Sequence, residues 1–263
     1  MPAVPLSVVV ITYNEEQNIA RCLEALHDVA EDVLVVDSFS TDRTVEICQQ
    51  HGVRVVQHAF EGYVAQKNFA TTQAYHDVVL QLDADEVLTE ELRQSIRQVK
   101  QHWQHAGYTL TRLTNYCGTW VRHSGWYPDR KLRLYDRRQG EWQGLLLHER
   151  FQLADGQAAG TLSGDLLHYS YYSVEQHVSQ LNRFTSFAAD ELWLANKRRV
   201  TLFHLLLKPW WRFVHGYFFR LGFLDGFAGL SIAVISALGV FLKFAKLKFG
   251  RSENRIGGKS NEQ

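Results

Sequence analysis

Two carboxylates that directly follow an apolar run constrain this chain more than any other feature of its sequence. Residues 78–82 are Val-Val-Leu-Gln-Leu, and Asp83-Ala84-Asp85-Glu86 comes next. A short run of this kind predicts a buried strand, and open α/β sheets bind ligands at the carboxyl ends of their strands. Carboxylates there suit a divalent cation that also contacts substrate phosphates. The motif therefore favours a metal–diphosphate site over its alternative, a solvated turn that leads into a helix near Thr89.

Two earlier apolar runs also end in polar side chains. Residues 6–11 are followed by Thr12-Tyr13-Asn14-Glu15, and residues 33–36 are followed by Asp37. A structural turn needs Gly, Asn or Asp, but it does not need an acid at the end of each of three strands. The three polar clusters together indicate a nucleotide-type site.

The segments between these runs have the residue spacing of helices. Ile19, Leu23 and Leu26 recur at helical intervals, a second helix ends at Gly52, and residues 63–74 predict a third. Strands that alternate with helices predict an α/β fold whose sheet is mostly parallel, with right-handed crossovers.

Four motifs occur in a fixed order along this predicted sheet. They are Thr-Tyr-Asn-Glu from residue 12, Asp-Ser-x-Ser-Thr-Asp from residue 37, Gln-Lys-Asn-x-Ala from residue 66 and Leu-Asp-Ala-Asp-Glu from residue 82. In order and spacing they resemble the donor half of family-2 glycosyltransferases, which implies the Rossmann-like GT-A fold. Three later motifs are similar to one branch of that family, the lipopolysaccharide-core β-glucosyltransferases that act on inner-core heptose. These are Trp-Tyr-Pro-Asp from residue 126, Lys-Leu-Arg-Leu from residue 131 and Trp-x5-His-Glu from residue 142.

The resemblance implies roles for the residues at the strand ends. Asp85 holds a divalent cation, Mg²⁺ or Mn²⁺, and Asp83 supports either the cation or the ribose of a nucleotide-sugar donor. Lys67 matches a basic position near the nucleobase, although a surface position on its helix is the alternative. The other donor-binding positions are Thr12, Tyr13, Asn14, Glu15, Asp37 and Ala84.

The acceptor side is implied by the later motifs. Glu149 matches the general base that takes the proton from the acceptor hydroxyl, and its alternative is an exposed side chain paired with a neighbour such as Arg150. Trp126, Arg133 and His148 are predicted acceptor-side residues. For Arg133 a place at a strand edge is the alternative to binding an anionic acceptor, and His148 has a positioning or structural role.

The apolar content rises sharply near residue 200. Residues 226–242 carry no charge, and as a helix they would span about 25 Å, slightly less than the ~30 Å hydrocarbon core of a bilayer. Trp210 and Trp211 precede them, and Lys243 begins a basic cluster. These features predict shallow attachment to a membrane surface. A helical hairpin packed on the catalytic domain, or a homodimer interface, is the alternative.

The predicted organisation has four parts. They are a donor-binding half (residues 1–98), an acceptor-binding half (99–170), a helical, membrane-associating extension (171–250) and a flexible basic tail (251–263). Lys plus Arg and Asp plus Glu both number 28, so net charge does not indicate a nucleic-acid partner.

The predicted protein is an inverting, metal-dependent glycosyltransferase at the cytoplasmic face of a bacterial inner membrane. The resemblance implies that it moves a hexose, glucose from UDP-glucose, onto an inner-core heptose of lipopolysaccharide or onto a related lipid-linked glycan. The alternatives are another lipid acceptor of the cell envelope and a noncatalytic nucleotide-sugar-binding protein. A haloacid-dehalogenase-type phosphohydrolase is excluded, because its Asp motif normally ends the first strand and here it ends the fourth.

Overall fold

Strands and helices alternate through the first part of the computed structural model, which describes residues 3–144, 149–197 and 199–249. The strands and helices predicted for this part all occur, at or near the predicted bounds, and within it the short strand β5 was not predicted. The elements are β1 (Leu6–Thr12), α1 (Ile19–Glu24), β2 (Asp32–Asp37), α2 (Thr44–Gln50), β3 (Arg54–Gln57), α3 (Tyr63–Thr72), β4 (Val78–Asp83), β5 (Glu86–Leu88) and α4 (Glu90–Gln101).

The first four strands form the parallel half of the sheet, in the order β3-β2-β1-β4. Every residue of β1 is buried, as expected for a parallel strand that is covered on both faces. Its register places Thr12 opposite Asp37 and Ile11 opposite Asp83. The polar ends of three strands therefore meet at one edge of the sheet, as predicted.

Side chains from both faces of β1 build the core. Successive residues of a strand point to opposite faces, so Val8 packs in a cluster with Ile96 of α4, while Val9 packs in another with Ala70 of α3. Each cluster joins the sheet to one layer of helices. This double cover holds the strand ends, and the loops that follow them, in fixed positions.

The second half of the sheet is antiparallel. Its strands are β6 (Gly107–Tyr116), β7 (Thr119–Val121), β8 (Asp129–Asp136) and β11 (Ala159–Tyr171), while β9 (Gly140–Gln143) and β10 (Arg150–Leu153) form a separate pair. Within the described residues, β8, β6, β11 and β5 continue the sheet beyond β4, and β7 pairs with β6. The sheet is therefore parallel where the donor motifs lie and antiparallel beyond them.

The unpredicted strand β5 positions the end of the acidic motif. It runs antiparallel to β11, so Glu86 lies opposite His168 and Leu88 opposite Leu166. Gly164 of β11 has a φ of +88°, and a Cβ at this position would collide with the backbone of Leu92 in the first turn of α4. Only glycine combines this left-handed backbone with such a close approach, and it allows β11 to lie directly against the start of α4.

The chain forms two compact units. The first comprises the residues up to 114 and residues 127–170, and the second comprises residues 115–126 and the residues from 171 on. The second unit contains α5 (Val174–Leu194), α6 (Lys208–Val214) and α7 (Gly226–Phe249), with one π-helical turn on either side of α6.

Helix α7 contains the uncharged stretch and packs along α5. Gly239 lies against Leu181, and Lys246 Nζ donates hydrogen bonds to Thr185 Oγ1 at 2.8 Å and to Ser186 Oγ at 2.9 Å. By length and composition the helical segment Gly222–Phe249 could cross a membrane, yet 39% of its most apolar window is buried inside the protein. The predicted basic tail, residues 251–263, lies outside the described residues.

Candidate active site

The loop after β1 is held by side chains of the loop after β2. Asn14 has a φ of +53°, its Oδ1 accepts a hydrogen bond from Thr41 N at 2.8 Å, and its own N–H donates to Ser40 Oγ at 2.9 Å. Tyr13 is exposed. The buried hydroxyl of Thr12 has no hydrogen-bond partner among the described residues. The two predicted donor loops thus form one structure, with an unpaired hydroxyl at its base.

The carboxylate of Asp37 holds the loop after β2 in place. The residue is completely buried, and its carboxylate accepts hydrogen bonds from the backbone and the hydroxyl of Ser40 and, at 3.2 Å, from Gln57 Nε2. A carboxylate with several donors is strongly fixed. Asp37 therefore determines the shape of the loop after β2, which contains predicted donor-binding positions.

Asp83 lies among cations at the end of β4. Its carboxylate is 2.8 Å from Arg133 Nη2 and 3.3 Å from Lys67 Nζ. Burial alone would raise the pKa of Asp83, but the charges of Arg133, Lys67 and Arg112 outweigh burial and hold its pKa far below the usual range. The fully buried Glu86 shares the two arginines, at 3.3 Å from Arg133 and 3.4 Å from Arg112. The protein itself therefore compensates the charge of Asp83.

Asp85 has a different environment. Its Oδ2 lies 3.2 Å from His168 Nε2, and neither Lys nor Arg forms an ion pair with it among the residues that the structure describes. Burial raises the pKa of nearby Glu15 to about 7; a hydrogen bond from Asn18 opposes this rise, and the charges of Asp85 and Asp42 add to it. Asp85, His168 and Glu15 thus form a second, less compensated acidic group.

Lys67 joins the acidic motif to the predicted base. Its side chain is 1% exposed, so the alternative of a surface position is wrong. The ammonium lies 3.1 Å from Glu149 Oε1 and 3.3 Å from Asp83 Oδ1. The side chain of Glu149 is 22% exposed, so water or an acceptor can reach it. Residues from β4, α3 and the chain before β10 therefore meet at one point.

The predicted acceptor residues have three different locations. Arg133 is buried in β8, between β4 and β6, so the strand-edge alternative is wrong; its Nε and Nη1 have no hydrogen-bond partner among the described residues. Trp126 belongs to the second unit, where its ring centroid lies 6.0 Å from those of Tyr116 and His177. His148 lies outside the described residues.

Comparison with known proteins identifies the family. The model for glycosyl transferase family 2 matches residues 7–152, which is more than half of the chain. The chain belongs to this family. A glycosyltransferase of Rickettsia typhi without an assigned reaction is 32% identical over 253 residues, which cover 92% of this chain and 86% of the relative. The lipopolysaccharide core biosynthesis glycosyltransferase LpsC of Rhizobium meliloti is 27% identical over 94% of this chain and 93% of its own length.

Solved structures show the same fold. The mannosyltransferase PcManGT from Pyrobaculum calidifontis, in complex with GDP-Man and Mn²⁺, superposes with a TM-score of 0.56 and 15% identity, over 96% of this chain and 89% of that one. The predicted GT-A fold and the predicted family are therefore confirmed, and the protein is a glycosyltransferase.

Sequence reasoning missed His168, the neighbour of Asp85 in this glycosyltransferase. The residue follows Leu166 and Leu167 in a strand and matches no motif that was considered. Only the register of β11 with β5 brings it beside the acidic motif. A polar, titratable side chain within an apolar strand run was the one signal that the sequence offered.

Proposed function

We propose that this glycosyltransferase is an inverting, metal-dependent hexosyltransferase whose donor-side centre is Asp85 with His168 and whose base is Glu149. The observation that carries this proposal is the arrangement around the acidic motif. Asp85 is 3.2 Å from an imidazole, whereas Asp83 is bound to Lys67, which also binds Glu149. A leaving-group site and a base are thus both connected to one short motif.

The donor side suits a divalent cation such as Mg²⁺ or Mn²⁺. Asp85 and His168 supply one carboxylate and one imidazole, and no larger group of metal-binding side chains occurs among the described residues. Two protein ligands suffice when diphosphate oxygens and water complete the coordination. A cation held there would act as a Lewis acid that stabilises the departing diphosphate. The Mn²⁺ in the mannosyltransferase complex supports this assignment, and Asp83 then has a supporting role.

Glu149 is the proposed general base. In an inverting transfer the acceptor oxygen attacks the sugar carbon opposite the diphosphate, and a carboxylate takes the hydroxyl proton. Glu149 is partly exposed, and Lys67 connects it to Asp83 of the acidic motif.

The donor and acceptor are proposed from relatives. Similarity to LpsC, named for lipopolysaccharide core biosynthesis, supports a core saccharide as acceptor. The motif resemblance adds UDP-glucose as donor and inner-core heptose as acceptor. The nucleobase and ribose are assigned to the loops of Thr12 to Glu15 and Asp37, and Arg133 and Trp126 to the acceptor side.

A membrane surface is the proposed location, at its cytoplasmic face, where nucleotide sugars are available. In the described part of the second unit, large exposed apolar side chains concentrate in residues 202–227 rather than along the rest of α7. They are Leu202, Phe203, Leu206, Leu207, Trp210, Trp211, Phe218, Phe219, Leu221, Phe223, Leu224 and Phe227. We name this segment the aromatic segment. Exposed apolar surface of this extent requires a partner, and interspersed Lys208, Arg212 and Arg220 suit anionic headgroups.

Membrane attachment is tested by flotation with anionic liposomes. Replacing Trp210 and Trp211 together by Ser should reduce the bound fraction, because both indoles are more than half exposed and amphipathic aromatic rings anchor at the interface. The matched control replaces Phe60 and Tyr75 of the first unit by Ser, since these two aromatic side chains are also more than half exposed. A dimer interface is the better explanation if neither variant floats less and the tryptophan variant alone becomes monomeric.

The reaction is tested by nucleotide release from UDP-, GDP-, dTDP- and ADP-sugars with Mg²⁺ or Mn²⁺, with and without heptose-containing core lipid. An inverting enzyme converts the α-linked donor into a β-linked product. Glu149→Gln should lower transfer by about 10²–10⁴-fold and still bind UDP, while Glu141→Gln, exposed on β9, should retain activity. A noncatalytic sensor would bind nucleotide sugar without turnover and would not respond to Glu149→Gln.

A further inference from the structure

Lys67 is a buried cation shared by two carboxylates that come from distant parts of the first unit. The side chain is 1% exposed, and its ammonium lies 3.3 Å from Asp83 and 3.1 Å from Glu149. It also lies 4.8 Å from the ring centroid of Trp142, within the range of a cation–π contact. Lysine is almost never fully buried unless it is paired, so these contacts explain its position.

Of its two carboxylates, Glu149 depends more on Lys67. Asp83 also pairs with Arg133 at 2.8 Å, so its charge stays compensated without Lys67. Among the described residues, Lys67 is the one Lys or Arg within ion-pair distance of Glu149. Loss of the ammonium therefore removes the partner of Glu149 and leaves Asp83 bound.

The neighbours of Lys67 fix the same region. Asn68 binds the backbone of Trp142 twice, with Nδ2 donating to the carbonyl at 2.9 Å and Oδ1 accepting from the N–H at 3.0 Å. Gln66 Nε2 donates to Ser38 Oγ, in the loop after β2, at 3.0 Å. Three successive residues of α3 thus hold the nucleobase loop, the acidic motif with the base, and strand β9. These contacts indicate that α3 sets the distances between these three segments.

We propose that Lys67 is a positioning residue that holds the carboxylate of Glu149 beside the acidic motif, oriented to accept the acceptor's proton. The inference rests on the proposed role of Glu149 as base. The ion pair with Lys67, at 3.1 Å, restricts the rotamers of Glu149. In the reaction the hydroxyl O–H breaks, its proton goes to Glu149, the oxygen bonds to the sugar carbon, and the nucleoside diphosphate leaves with the bonding electrons. Asp83 keeps Lys67 in place while Glu149 is protonated.

The test is a double-mutant cycle of Lys67→Met and Glu149→Gln in the full-length enzyme. Lys67→Met should lower kcat for transfer by about 10- to 100-fold, a part of what loss of a general base costs, and change the Kd for UDP by less than about threefold. In the Glu149→Gln background, Lys67→Met should have no further effect beyond about threefold, because residues that act as a unit are not additive. A purely structural lysine would not show this coupling.

Lys100→Met is the matched control. Lys100 is also buried and paired, with Glu31 at 2.8 Å and the Val29 carbonyl at 2.7 Å, but it lies on α4 outside the site. This variant should lose thermal stability and keep kcat. If Lys67→Met does not fold, Lys67→Gln, which keeps a donor without the charge, replaces it in the cycle.

The outcomes separate this inference from the proposed function. If the fold losses in kcat of the two single variants multiply fully in the double mutant, Lys67 does not act through Glu149. This result overturns the inference and leaves the role of Glu149 as base unaffected. Wild-type activity in Glu149→Gln removes the base and the inference together. A loss of UDP affinity in Lys67→Met with unchanged kcat would assign Lys67 to the donor instead.

Discussion

Glu15→Gln should stabilise the metal-free enzyme, and its effect should depend on pH. Burial raises the pKa of Glu15 from an ordinary 4.5 to about 7, with the charges of Asp85 and Asp42 adding to the rise and a hydrogen bond from Asn18 opposing it. At 1.36 kcal/mol for each pKa unit, the full difference between 4.5 and about 7 corresponds to at most about 3.4 kcal/mol. The side chain is only partly buried, and solvent screening reduces the figure to about 1–2 kcal/mol.

The sign follows from proton binding. Folded protein holds the proton of Glu15 up to about pH 7, whereas the unfolded chain releases it near 4.5. The carboxyl therefore costs no stability below pH 4.5, a growing amount between 4.5 and 7, and a constant amount above 7. Glutamine stays neutral throughout, so the gain from Glu15→Gln should grow over the same interval.

Thermal unfolding in EDTA, without nucleotide, measures this effect, because cation and donor would stabilise the folded state. At about pH 8.5 the variant should unfold about 2–6 °C higher than wild type, and at about pH 5 the difference should nearly vanish. Glu24→Gln, exposed on α1, should change little at either pH. A gain of equal size at both pH values, or none at pH 8.5, refutes the reasoning.

Three further predictions concern the same unit. Asp85→Asn should lower transfer by at least about 100-fold without unfolding the enzyme, measured as turnover against added Mn²⁺; normal turnover, or activity that ignores EDTA, contradicts the metal assignment. Asp37→Ala should weaken UDP binding by about 10- to 100-fold in calorimetry and slow saturated turnover less, because the nucleobase is remote from the reacting carbon; unchanged affinity removes Asp37 from the donor site. Gly164→Ala should destabilise the protein by more than about 1 kcal/mol, since both the φ and the contact with Leu92 disfavour a Cβ; an unchanged unfolding temperature contradicts this.

Sequence reasoning identified the parallel strands because their signal is local. The Val-rich run of β1 is buried along its whole length, and such a run can be recognised as a strand without knowledge of the strands beside it. Because the carboxyl ends of parallel strands share one edge of the sheet, the acids after these strands were expected to meet there. Strand β5 was not anticipated, because it is three residues long and pairs with a strand that begins much later in the chain.

The partners of the acidic motif could not be read from the sequence for the same reason. Asp83 meets Arg133, and Asp85 meets His168, across sequence separations that carry no periodic signal. Lys67 was open between a position near the nucleobase and a surface position, because the pattern of α3 does not reveal which face meets a later segment of the chain. One of its partners, Glu149, lies 82 residues later in the chain.

The packing of α7 on α5 has a practical consequence for anyone who prepares this enzyme. Removing everything from Leu202 on would detach the aromatic segment, but it would also strip the partner from Leu181 and leave the oxygens that receive Lys246 open to water. Such a protein would lose the exposed apolar surface of the aromatic segment but expose the apolar side of α5 instead, so it should precipitate. Polar substitutions confined to exposed positions such as Trp210, Trp211 and Phe227 keep the α5–α7 seam closed. That route should give a detergent-free preparation suited to crystallisation and calorimetry.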